Sequence, residues 1–409
     1  MDSQVTEERD LREARPVWAD TPRISVASRK TPRLRRYDVI VVGAGISGAL
    51  VAHGLADGRR SIAIIDRRQP VRGSSMASTA MIQHEIDVSL HELSREIGKT
   101  RAERVWRRSA DAVERLKTLV AELGISCQME AKQTLYLTGD EYGARALARE
   151  ASARKVAGLM ADYVDAEQLK RDFGIDRTAA IRSDASASAN PAQLTAGVLR
   201  HARKRGCEII SEVEITDLHT SSGDVVLATS TGHLLLAGHV VFCTGYEFLK
   251  PLAGKGHKVV STWAIASRPH LELPEWLSGY LVWEASDPYL YLRTTRGGRL
   301  IAGGEDEESP DAYLSQAKLK AKGKAIAEKI GDLLGCAIGT PDYVWSAGFG
   351  TTRTGLPMIG EVPGLKNVHA VMGYGGNGIT FSMIASEIIA AFINGKPDRD
   401  VELFTFTAG

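Results

Sequence analysis

Residues 37–48 read YDVIVVGAGISG, and this stretch decides the fold. Tyr37–Val42 is a short apolar run of the kind that forms a buried parallel strand. The glycine-rich segment Gly43–Gly48 follows it, and a helix is predicted from there to about Asp57. Ser61–Asp66 (SIAIID) is a second apolar strand. The sequence therefore predicts a strand–turn–helix–strand unit, which is typical of an α/β domain with a parallel sheet.

The glycines of this turn match the GxGxxG pattern of dinucleotide-binding proteins. Gly43 permits the tight turn, Gly45 lets backbone N–H groups reach a pyrophosphate, and Gly48 lets the helix pack on the strand. The positive end of the helix favours the phosphates. Asp66 ends the second strand, 18 positions after Gly48, where it can accept hydrogen bonds from a ribose. The pattern therefore predicts a dinucleotide site.

Arg67 and Arg68 follow Asp66 and raise the alternative of NADP, because arginines can hold a 2′-phosphate. NADP sites usually lack the acidic residue, so Asp66 favours FAD or NAD. We interpret the two arginines as an exposed face or as a stack on the adenine.

The composition limits the other classes of function. The chain has 409 residues, of which 44% are apolar and 25% charged, as in a globular protein of two or three domains. A net charge of +1 gives no basic excess for binding nucleic acid. The four cysteines lie far apart without zinc spacing, so we expect reduced thiols, no metal and a cytoplasmic protein.

The apolar run Val39–Leu55 follows Arg35 and Arg36, which raises the alternatives of a twin-arginine signal or a membrane span. The run contains glycines and a histidine, lacks a small-residue cleavage site and is short for a span. We therefore interpret it as the strand, turn and helix above, and we expect no membrane span.

Further segments favour FAD over NAD. They are Gly73–Gln83 (GSSMASTAMIQ), Ser186–Leu194 (SASANPAQL), Ser211–Leu218 (SEVEITDL), Val240–Gly245 (VVFCTG), Gly355–Gly360 (GLPMIG) and Gly373–Ser382 (GYGGNGITFS). Through them the chain resembles, from Tyr37 to about Phe406, the D-amino-acid oxidase, glycine oxidase and sarcosine oxidase family of FAD-dependent oxidoreductases (the DAO type). The resemblance implies a flavoprotein oxidoreductase that oxidises a small-molecule amine or amino acid.

The order of predicted strands and helices favours a mixed α/β fold with two domains. We expect a Rossmann-like FAD-binding domain and a second, antiparallel-sheet domain for the substrate, both discontinuous in sequence. Residues 1–36 are predicted to be an extended arm, partly disordered, that Trp18 can pin to the body. The FAD-binding domain takes residues 37–125, 185–256 and 345–409, and the substrate-binding domain takes 126–184 and 257–344.

The resemblance also implies which residues bind FAD without a covalent bond. Among them, the backbone of Val213 is expected to contact the adenine. The predicted set is Gly43, Gly45, Ile46, Ser47, Gly48, Asp66, Arg67, Ser74, Ser75, Thr79, Ala80, Met81, Val213, Thr244, Gly245, Gly375, Gly376, Asn377, Gly378, Ile379 and Thr380.

The closing motif, Gly373–Ser382, has a physical rationale of its own. Its glycines can bring backbone N–H groups close to a planar ring, and the helix that follows directs its positive end there. Such a dipole would stabilise a reduced, anionic flavin. The side chains of Asn377 and Thr380 can add hydrogen bonds.

The segment Pro288–Arg293 (PYLYLR) is the main candidate for the substrate side. By the two-residue period of a strand, Tyr289, Tyr291 and Arg293 lie on one face. Two phenols and a guanidinium suit a polar or anionic substrate, and the alternative is a polar face in solvent. The predicted catalytic residues are Tyr291, Arg293, Tyr374 and His84; other pocket candidates are Gln83, Trp263, Trp283 and Arg353.

Several positions depart from the family's pattern. Phe349 stands where glycine oxidases have a carboxylate-binding arginine, and Thr354 stands where an aspartate is common. Ile301, Thr380 and Ala347 stand where sarcosine oxidases have, respectively, an oxygen-activating lysine, a carboxylate-binding lysine and a flavin-linking cysteine. We therefore expect non-covalent FAD, a substrate other than glycine or sarcosine, and weak reactivity with oxygen.

The predicted reaction is oxidation of a C–N bond. The neutral amine gives a hydride to flavin N5, and the imine hydrolyses in water. The resemblance implies that no protein base is strictly needed, because in this family burial beside the flavin lowers the amine's pKa. Electrons then pass to oxygen or another acceptor. Two alternatives stay open: a hydroxy-acid or glycerophosphate-type dehydrogenase, and a flavin-binding subunit of a larger dehydrogenase. An oligomer is possible on this sequence.

Overall fold

The computed structural model describes residues 5–221, 223–253, 256–396 and 398–406. The strands, in chain order, are β1 Arg12–Glu13, β2 Arg36–Val42, β3 Ile62–Asp66, β4 Met81–Ile82, β5 Glu130–Leu137, β6 Ala161–Asp165, β7 Ala179–Ser188, β8 Glu208–Ser211, β9 Ile215–Thr220, β10 Val225–Thr229, β11 Leu234–Phe242, β12 His257–Ala266, β13 Tyr280–Glu284, β14 Leu290–Thr294, β15 Leu300–Glu307, β16 Tyr343–Thr352, β17 Met358–Glu361 and β18 Val368–Met372. The α-helices are α1 Ile46–Leu55, α2 Leu90–Ile97, α3 Lys99–Glu122, α4 Ala144–Val156, α5 Ala166–Phe173, α6 Pro191–Lys204, α7 Gln316–Leu334 and α8 Gly378–Ile393.

The first sheet has the order β17-β18-β11-β2-β3-β8. Strands β18, β11, β2, β3 and β8 run parallel, and β17 is antiparallel at the edge. Val39, Ile40 and Val41 of β2 are at most 1% exposed, as expected for a strand covered on both faces. The predicted mixed α/β class and the β2–α1–β3 unit are confirmed.

Helix α1 packs closely on the sheet because of one glycine pair. A Cβ atom on Gly48 would lie 1.9 Å from the carbonyl oxygen of Gly43, so only glycine lets the helix approach the turn. The helix is apolar on all sides, since α6 and α8 cover the side that faces away from the sheet. The turn therefore has a fixed position at the end of β2.

The second sheet has the order β1-β16-β12-β15-β14-β13-β5-β7-β4, and β6 pairs with β7. As expected for an antiparallel-sheet domain, β12, β15, β14 and β13 pair antiparallel in that order. The ten-residue strand β7, in contrast, was not predicted. Its sequence AAIRSDASAS is rich in alanine and serine, which favour strands weakly, and pairing with β4, β5 and β6 decides its conformation.

Strand β11 has two parts that pair with different neighbours. Its first part pairs antiparallel with β10, and its later part pairs parallel with β2 and β18. Gly238 lies at the change, where a Cβ would come within 2.9 Å of the carbonyl oxygen of Asp38. The turn expected at Ser221–Asp224 contains residue 222, which lies outside the described residues.

The described part of the N-terminal arm is ordered against the body. Strand β1 adds to the edge of the second sheet through Arg12 and Glu13, which pair with β16. Trp18 is 3% exposed, and its Nε1 donates to the carbonyl oxygen of Ser78 at 2.7 Å. The expectation that Trp18 pins the arm agrees with this contact.

The predicted domain boundary at residue 345 falls inside β16, which belongs to the second sheet. The cysteines in the structure are free thiols, three of them buried. Within the described ranges, one helical stretch, Gly375–Ile393, is long and apolar enough to span a membrane, but 56% of its apolar window is buried inside the protein. A buried core helix of a globular protein has the same properties.

Histidine 369 makes stability depend on pH. It is fully buried on β18, with its Nε2 3.3 Å from Nδ1 of His239, and burial lowers the pKa of His369 from 6.5 to about 4. The unfolded chain therefore binds more protons between those values, so this contribution to stability is full above pH 6.5 and declines toward pH 4. We expect His369→Gln to flatten the pH dependence of the urea midpoint in that range. The exposed His219, changed to Gln, serves as the control and should leave the wild-type slope; an unchanged slope in His369→Gln would contradict the assignment.

Candidate functional site

A cavity of about 480 Å³ lies between the two sheets. Val42, Ile65 and Phe242 line one end of it, so it opens at the carboxyl ends of β2, β3 and β11. Ligands of open α/β sheets bind at this edge. The volume lies in the range of small-molecule sites. The cavity continues from there onto the second sheet.

The glycine-rich turn forms the first end of the cavity. Gly43, Gly45 and Ile46 line it, and the start of α1 opens onto it. Asp66 accepts hydrogen bonds from the backbone N–H groups of Ala44, at 2.6 Å, and Arg68, at 2.7 Å. The carboxylate at the end of β3 therefore holds the turn in place and lines the cavity as well.

The two arginines after Asp66 are neutralised within the protein. Glu247, whose side chain is 7% exposed, forms ion pairs with both Arg67 and Arg68, the latter at 2.7 Å. Nη2 of Arg68 also donates to the backbone carbonyl of Arg9 at 2.9 Å. The sequence analysis interpreted these arginines as an exposed face or as a stack on the adenine, and it did not foresee the ion pairs with Glu247. The guanidinium groups are engaged by Glu247, which disfavours a 2′-phosphate there.

The closing motif forms the next part of the wall. Gly375, Gly376 and Gly378 line the cavity, and α8 begins at Gly378. The N–H of Gly376 donates to Asp87 at 2.8 Å, and a Cβ on Gly375 would lie 2.4 Å from the same carboxylate. The glycines therefore leave room for the Asp87 carboxylate beside the closing motif. Burial raises the pKa of Asp87.

Aromatic side chains line the far end of the cavity, on the second sheet. Tyr136 and Trp283 stack with ring centroids 3.9 Å apart, and the rings of Tyr289 and Tyr291 are 5.7 Å apart. Burial raises the pKa of both Tyr289 and Tyr291, so both phenols stay neutral. The face of β14 predicted from alternation therefore does carry its two tyrosines into the cavity.

Carboxylates accompany the aromatic rings. Asp306 on β15 and Glu284 at the end of β13 line this part, and Glu141 and Asp287 line it from neighbouring loops. Burial raises the pKa of Asp306 to about 7, although the neighbouring hydroxyls of Thr262 and Tyr289 lower it. This end of the cavity is therefore acidic.

The basic side chains among the described lining residues are Arg67, Arg68 and Lys258. The two arginines pair with Glu247, and Lys258 pairs with Glu308. An anionic ligand at the far end would therefore lack an unpaired cation among the described lining residues.

A family model for FAD dependent oxidoreductases, DAO, matches residues 38–392 of the chain. The match runs from β2 into α8 and includes both ends of the cavity. The chain belongs to the DAO family of FAD-dependent oxidoreductases. It is therefore an FAD-dependent oxidoreductase.

Curated relatives and solved structures agree with this family. The chain is 20% identical to gamma-glutamylputrescine oxidoreductase of Escherichia coli strain K12, over 88% of this chain and 84% of that one. It is 23% identical to glycine oxidase of Bacillus licheniformis, over 91% and 97%. The crystal structure of glycine oxidase from Geobacillus kaustophilus has a TM-score of 0.78 at 21% identity, and the match covers 91% of this chain and 99% of that one. The structural likeness shows a common fold.

The first end of the DAO cavity fits FAD. Gly45 leaves room for its neighbour in the turn, since a Cβ there would lie only 3.1 Å from Oγ of Ser75. Oγ of Ser74 is buried with no hydrogen-bond partner in the described part of the chain, so it is free to bond a ligand there. The predicted FAD residues that line the cavity are Gly43, Gly45, Ile46, Ser47, Asp66, Arg67, Ser74, Ser75, Thr79, Ala80, Met81, Val213, Thr244, Gly245, Gly375, Gly376, Asn377, Gly378 and Ile379.

Two predicted FAD residues, Gly48 and Thr380, lie outside the lining. Gly48 acts through helix packing, as described above. Oγ1 of Thr380 donates to the carbonyl of Gln83 at 2.9 Å, and Asn377 donates through Nδ2 to that of Glu85 at 2.6 Å. The start of α8 is thereby hydrogen-bonded to the segment Gln83–Glu85. Both side-chain donors that the sequence analysis assigned to the flavin are therefore already used within the protein.

Arg293 requires a correction. It lies on the tyrosine face of β14 but does not line the cavity. Its guanidinium donates to the carbonyl oxygens of Thr79 at 2.7 Å, Ala189 at 2.8 Å and Thr294 at 3.1 Å. Burial lowers the pKa of Arg293 to about 9. The structure therefore supports a structural role, holding the segment around Thr79, in place of the predicted contact with an anionic substrate.

His84 is the second correction. It is 1% exposed, lies outside the cavity lining and contacts Trp106 edge-on, with ring centroids 6.1 Å apart. Burial lowers the pKa of His84, so the ring is neutral. The structure therefore gives no support to the predicted role of His84 as a catalytic residue. Adjacent Gln83, in contrast, lines the cavity.

Of the remaining predicted catalytic and pocket residues, some line the cavity and others lie elsewhere in the protein. Tyr374 lines the cavity, and its hydroxyl donates to the carbonyl of Val371 at 3.0 Å. Trp283 also lines it, whereas Trp263 is fully buried elsewhere in the core. Arg353 forms an ion pair with Glu96 at 2.8 Å, away from the cavity.

Several lining residues carried no signal in the sequence. Tyr136, Tyr246, Asp87 and Asp306 belong to no motif and come from four separate parts of the chain. Sheet register and loop packing bring them together. A short acidic run around Asp306 (GGEDEE) was visible, but such runs are usually exposed to solvent.

Proposed function

We propose that the protein oxidises a C–N bond of a small-molecule amine and releases an imine that hydrolyses to a carbonyl compound and an amine or ammonia. The observation that supports this most is the continuity of the cavity. It leads from the glycine turn of the FAD site to a chamber of aromatic and carboxylate side chains on the second sheet. FAD bound at the first end supplies a two-electron acceptor.

The chamber can do three things for an amine. Stacked Tyr136 and Trp283 and the pair Tyr289 and Tyr291 give apolar walls that orient an alkyl group and exclude water. Asp87 contacts the closing motif, and its raised pKa suits it to accept the proton that an alkylammonium must lose before oxidation. Acidic neighbours keep an amine protonated, so a base is needed to remove its proton. We therefore propose the Asp87 carboxylate as that base, in place of the base-free route expected from the sequence.

The acidic chamber also bears on the alternatives. A 2-hydroxy acid or a glycerophosphate is an anion, and a carboxylate such as Asp287 in the lining repels it. The relatives named gamma-glutamylputrescine oxidoreductase and glycine oxidase support an amine or amino-acid substrate. We therefore favour amines over hydroxy acids.

The test is anaerobic reduction of the bound flavin. Purified, FAD-loaded protein is mixed without oxygen with amines, amino acids and hydroxy acids, and bleaching of the visible flavin spectrum is recorded. We expect bleaching by amines. Bleaching only by hydroxy acids, or only with an added partner subunit, would replace the proposal with one of the alternatives. Admission of air afterwards measures the predicted weak reactivity with oxygen.

A further inference from the structure

Strand β15 ends in three consecutive carboxylates, Glu305, Asp306 and Glu307. Glu305 and Glu307 both form ion pairs with lysines of α7, for example with Lys322 at 3.4 and 3.2 Å. Asp306 has no ion pair within the described residues. The fold therefore neutralises the two outer carboxylates and leaves the middle one facing the cavity without a cation.

A β-bulge directs Asp306 inward. The register between β12 and β15 shifts between Ser261 and Trp263, opposite the segment 304–307. Glu305 has a φ of 58°, in the left-handed region that β-strand residues rarely adopt. Bulges commonly re-aim a side chain beside a site. Here Glu305 turns to α7, and the next residue, Asp306, lines the cavity.

The carboxylate of Asp306 has unused capacity for a hydrogen bond. Its Oδ1 is buried and has no partner in the part of the chain that the structure describes. A buried carboxylate oxygen without a partner is costly, so a ligand that donates to it gains free energy. The rings of Tyr289 and Tyr291 lie in the same part of the cavity, and aromatic faces attract cations.

We propose that Asp306, with the rings of Tyr289 and Tyr291, forms a subsite for a second, positively charged group of the substrate. This deepens the amine oxidation proposed above and rests on it for the reacting end of the molecule. The substrate class is an amine with a cationic tail, such as a diamine or an aminoalkyl guanidine. The proposed substrate does not need a carboxylate. The basic lining residues that the structure describes already pair with carboxylates of the protein, so they are not available to bind one on the substrate.

The subsite is tested first by binding alone. Methylguanidinium and methylurea have nearly the same shape, but only the first is charged. Each is titrated into the full-length, FAD-loaded protein, and binding is followed by calorimetry and by the flavin difference spectrum. We expect methylguanidinium to bind about 10-fold or more tightly than methylurea, as for a charge-assisted hydrogen bond. Equal affinity in the wild-type protein would overturn the subsite, whatever happens to any variant.

Asp306→Asn removes the charge and keeps the shape. We expect this variant to lose the preference for methylguanidinium, with its affinity for methylurea unchanged within about 2-fold. Glu328→Gln is the matched control: it removes a carboxylate from the exposed side of α7, where the side chain is 64% exposed, and should keep the preference. A preference that survives in Asp306→Asn would show that the cation binds elsewhere and would overturn the assignment.

Anaerobic reduction then separates this inference from the proposed function. Diaminoalkanes are compared with alkylamines in which a methyl group replaces the second ammonium. We expect the diamine to bind about 10-fold or more tightly in the wild-type protein and to lose that advantage in Asp306→Asn. If both amines reduce the flavin equally well, the subsite fails and amine oxidation stands. If methylguanidinium binds as expected but no amine reduces the flavin, amine oxidation fails and the cation site stands.

Discussion

Gly43→Ala should lose its FAD. Gly43 has a φ of +113°, and a Cβ there would lie 2.3 Å from the carbonyl oxygen of Cys243 and 2.9 Å from its carbonyl carbon. The backbone cannot move away easily, because Gly43 N–H donates to Ile65 at 2.8 Å and Cys243 N–H donates to Val42 at 2.8 Å. The ends of β2 and β11 must therefore separate at the glycine turn, which lines the end of the cavity that fits FAD. We expect a loss of FAD affinity of about 100-fold or more.

The measurement is a titration of apoprotein with FAD, followed by quenching of flavin fluorescence. Gly58→Ala is the matched control, because Gly58 also has a positive φ, +78°, but nothing lies within 4 Å of its added Cβ. It carries the backbone penalty of about 1 kcal/mol without the collision, so FAD affinity should stay near that of the wild type. If the Gly43→Ala variant binds FAD with a Kd within about 3-fold of the wild-type value, the turn is not rigid and the prediction is wrong.

Arg154→Met should remove a large share of the protein's stability. Arg154 is completely buried, and it pairs with Glu150 at 2.7 Å and with Glu85 at 2.9 Å. Its guanidinium also lies 4.5 Å from the ring centroid of Trp106. Removal of the cation leaves two buried carboxylates unpaired, which costs about 3–5 kcal/mol. A domain is stable by about 5–15 kcal/mol in total, so the loss should be easily seen.

The network reaches several elements. Glu150 accepts the N–H groups of Leu90 and His91 at the start of α2, both at 2.9 Å. Glu85 accepts the hydroxyl of Thr134, on β5, at 2.8 Å. A change at Arg154 therefore loosens α2, α4 and β5 together, and β5 carries Tyr136 of the cavity wall.

The measurement is urea unfolding of the FAD-loaded protein. Arg182→Met is the control, because its ion pair with Asp162 at 2.9 Å has both side chains about 40% exposed, and such pairs contribute less than about 1 kcal/mol. Glu85→Gln added to Arg154→Met should recover part of the lost stability, since it removes one unpaired charge. A loss from Arg154→Met no larger than that of Arg182→Met would contradict a strongly coupled buried network.

The alternating pattern of β14 shows how far sequence reasoning reached on the substrate side. It placed Tyr289, Tyr291 and Arg293 on one face, and the two tyrosines do line the cavity. It could not show where along that face the cavity ends. Arg293 lies beyond the end, where three backbone carbonyls take its donors. An anionic substrate was therefore expected where the structure has carboxylates.

The sequence by itself determined the fold class, the FAD cofactor and the family. Its signals are local: the strand, the turn of Gly43–Gly48, the helix and Asp66 are within one βαβ unit, and their spacing alone sets their geometry. Only the tertiary structure decided which side chains line the far end of the cavity. Asp87, Tyr136, Tyr289 and Asp306 come from separate segments, and sheet register and a bulge bring them to one cavity. The charge of that cavity depends on which acidic groups find lysine partners elsewhere in the fold, and spacing along a chain does not specify those distances.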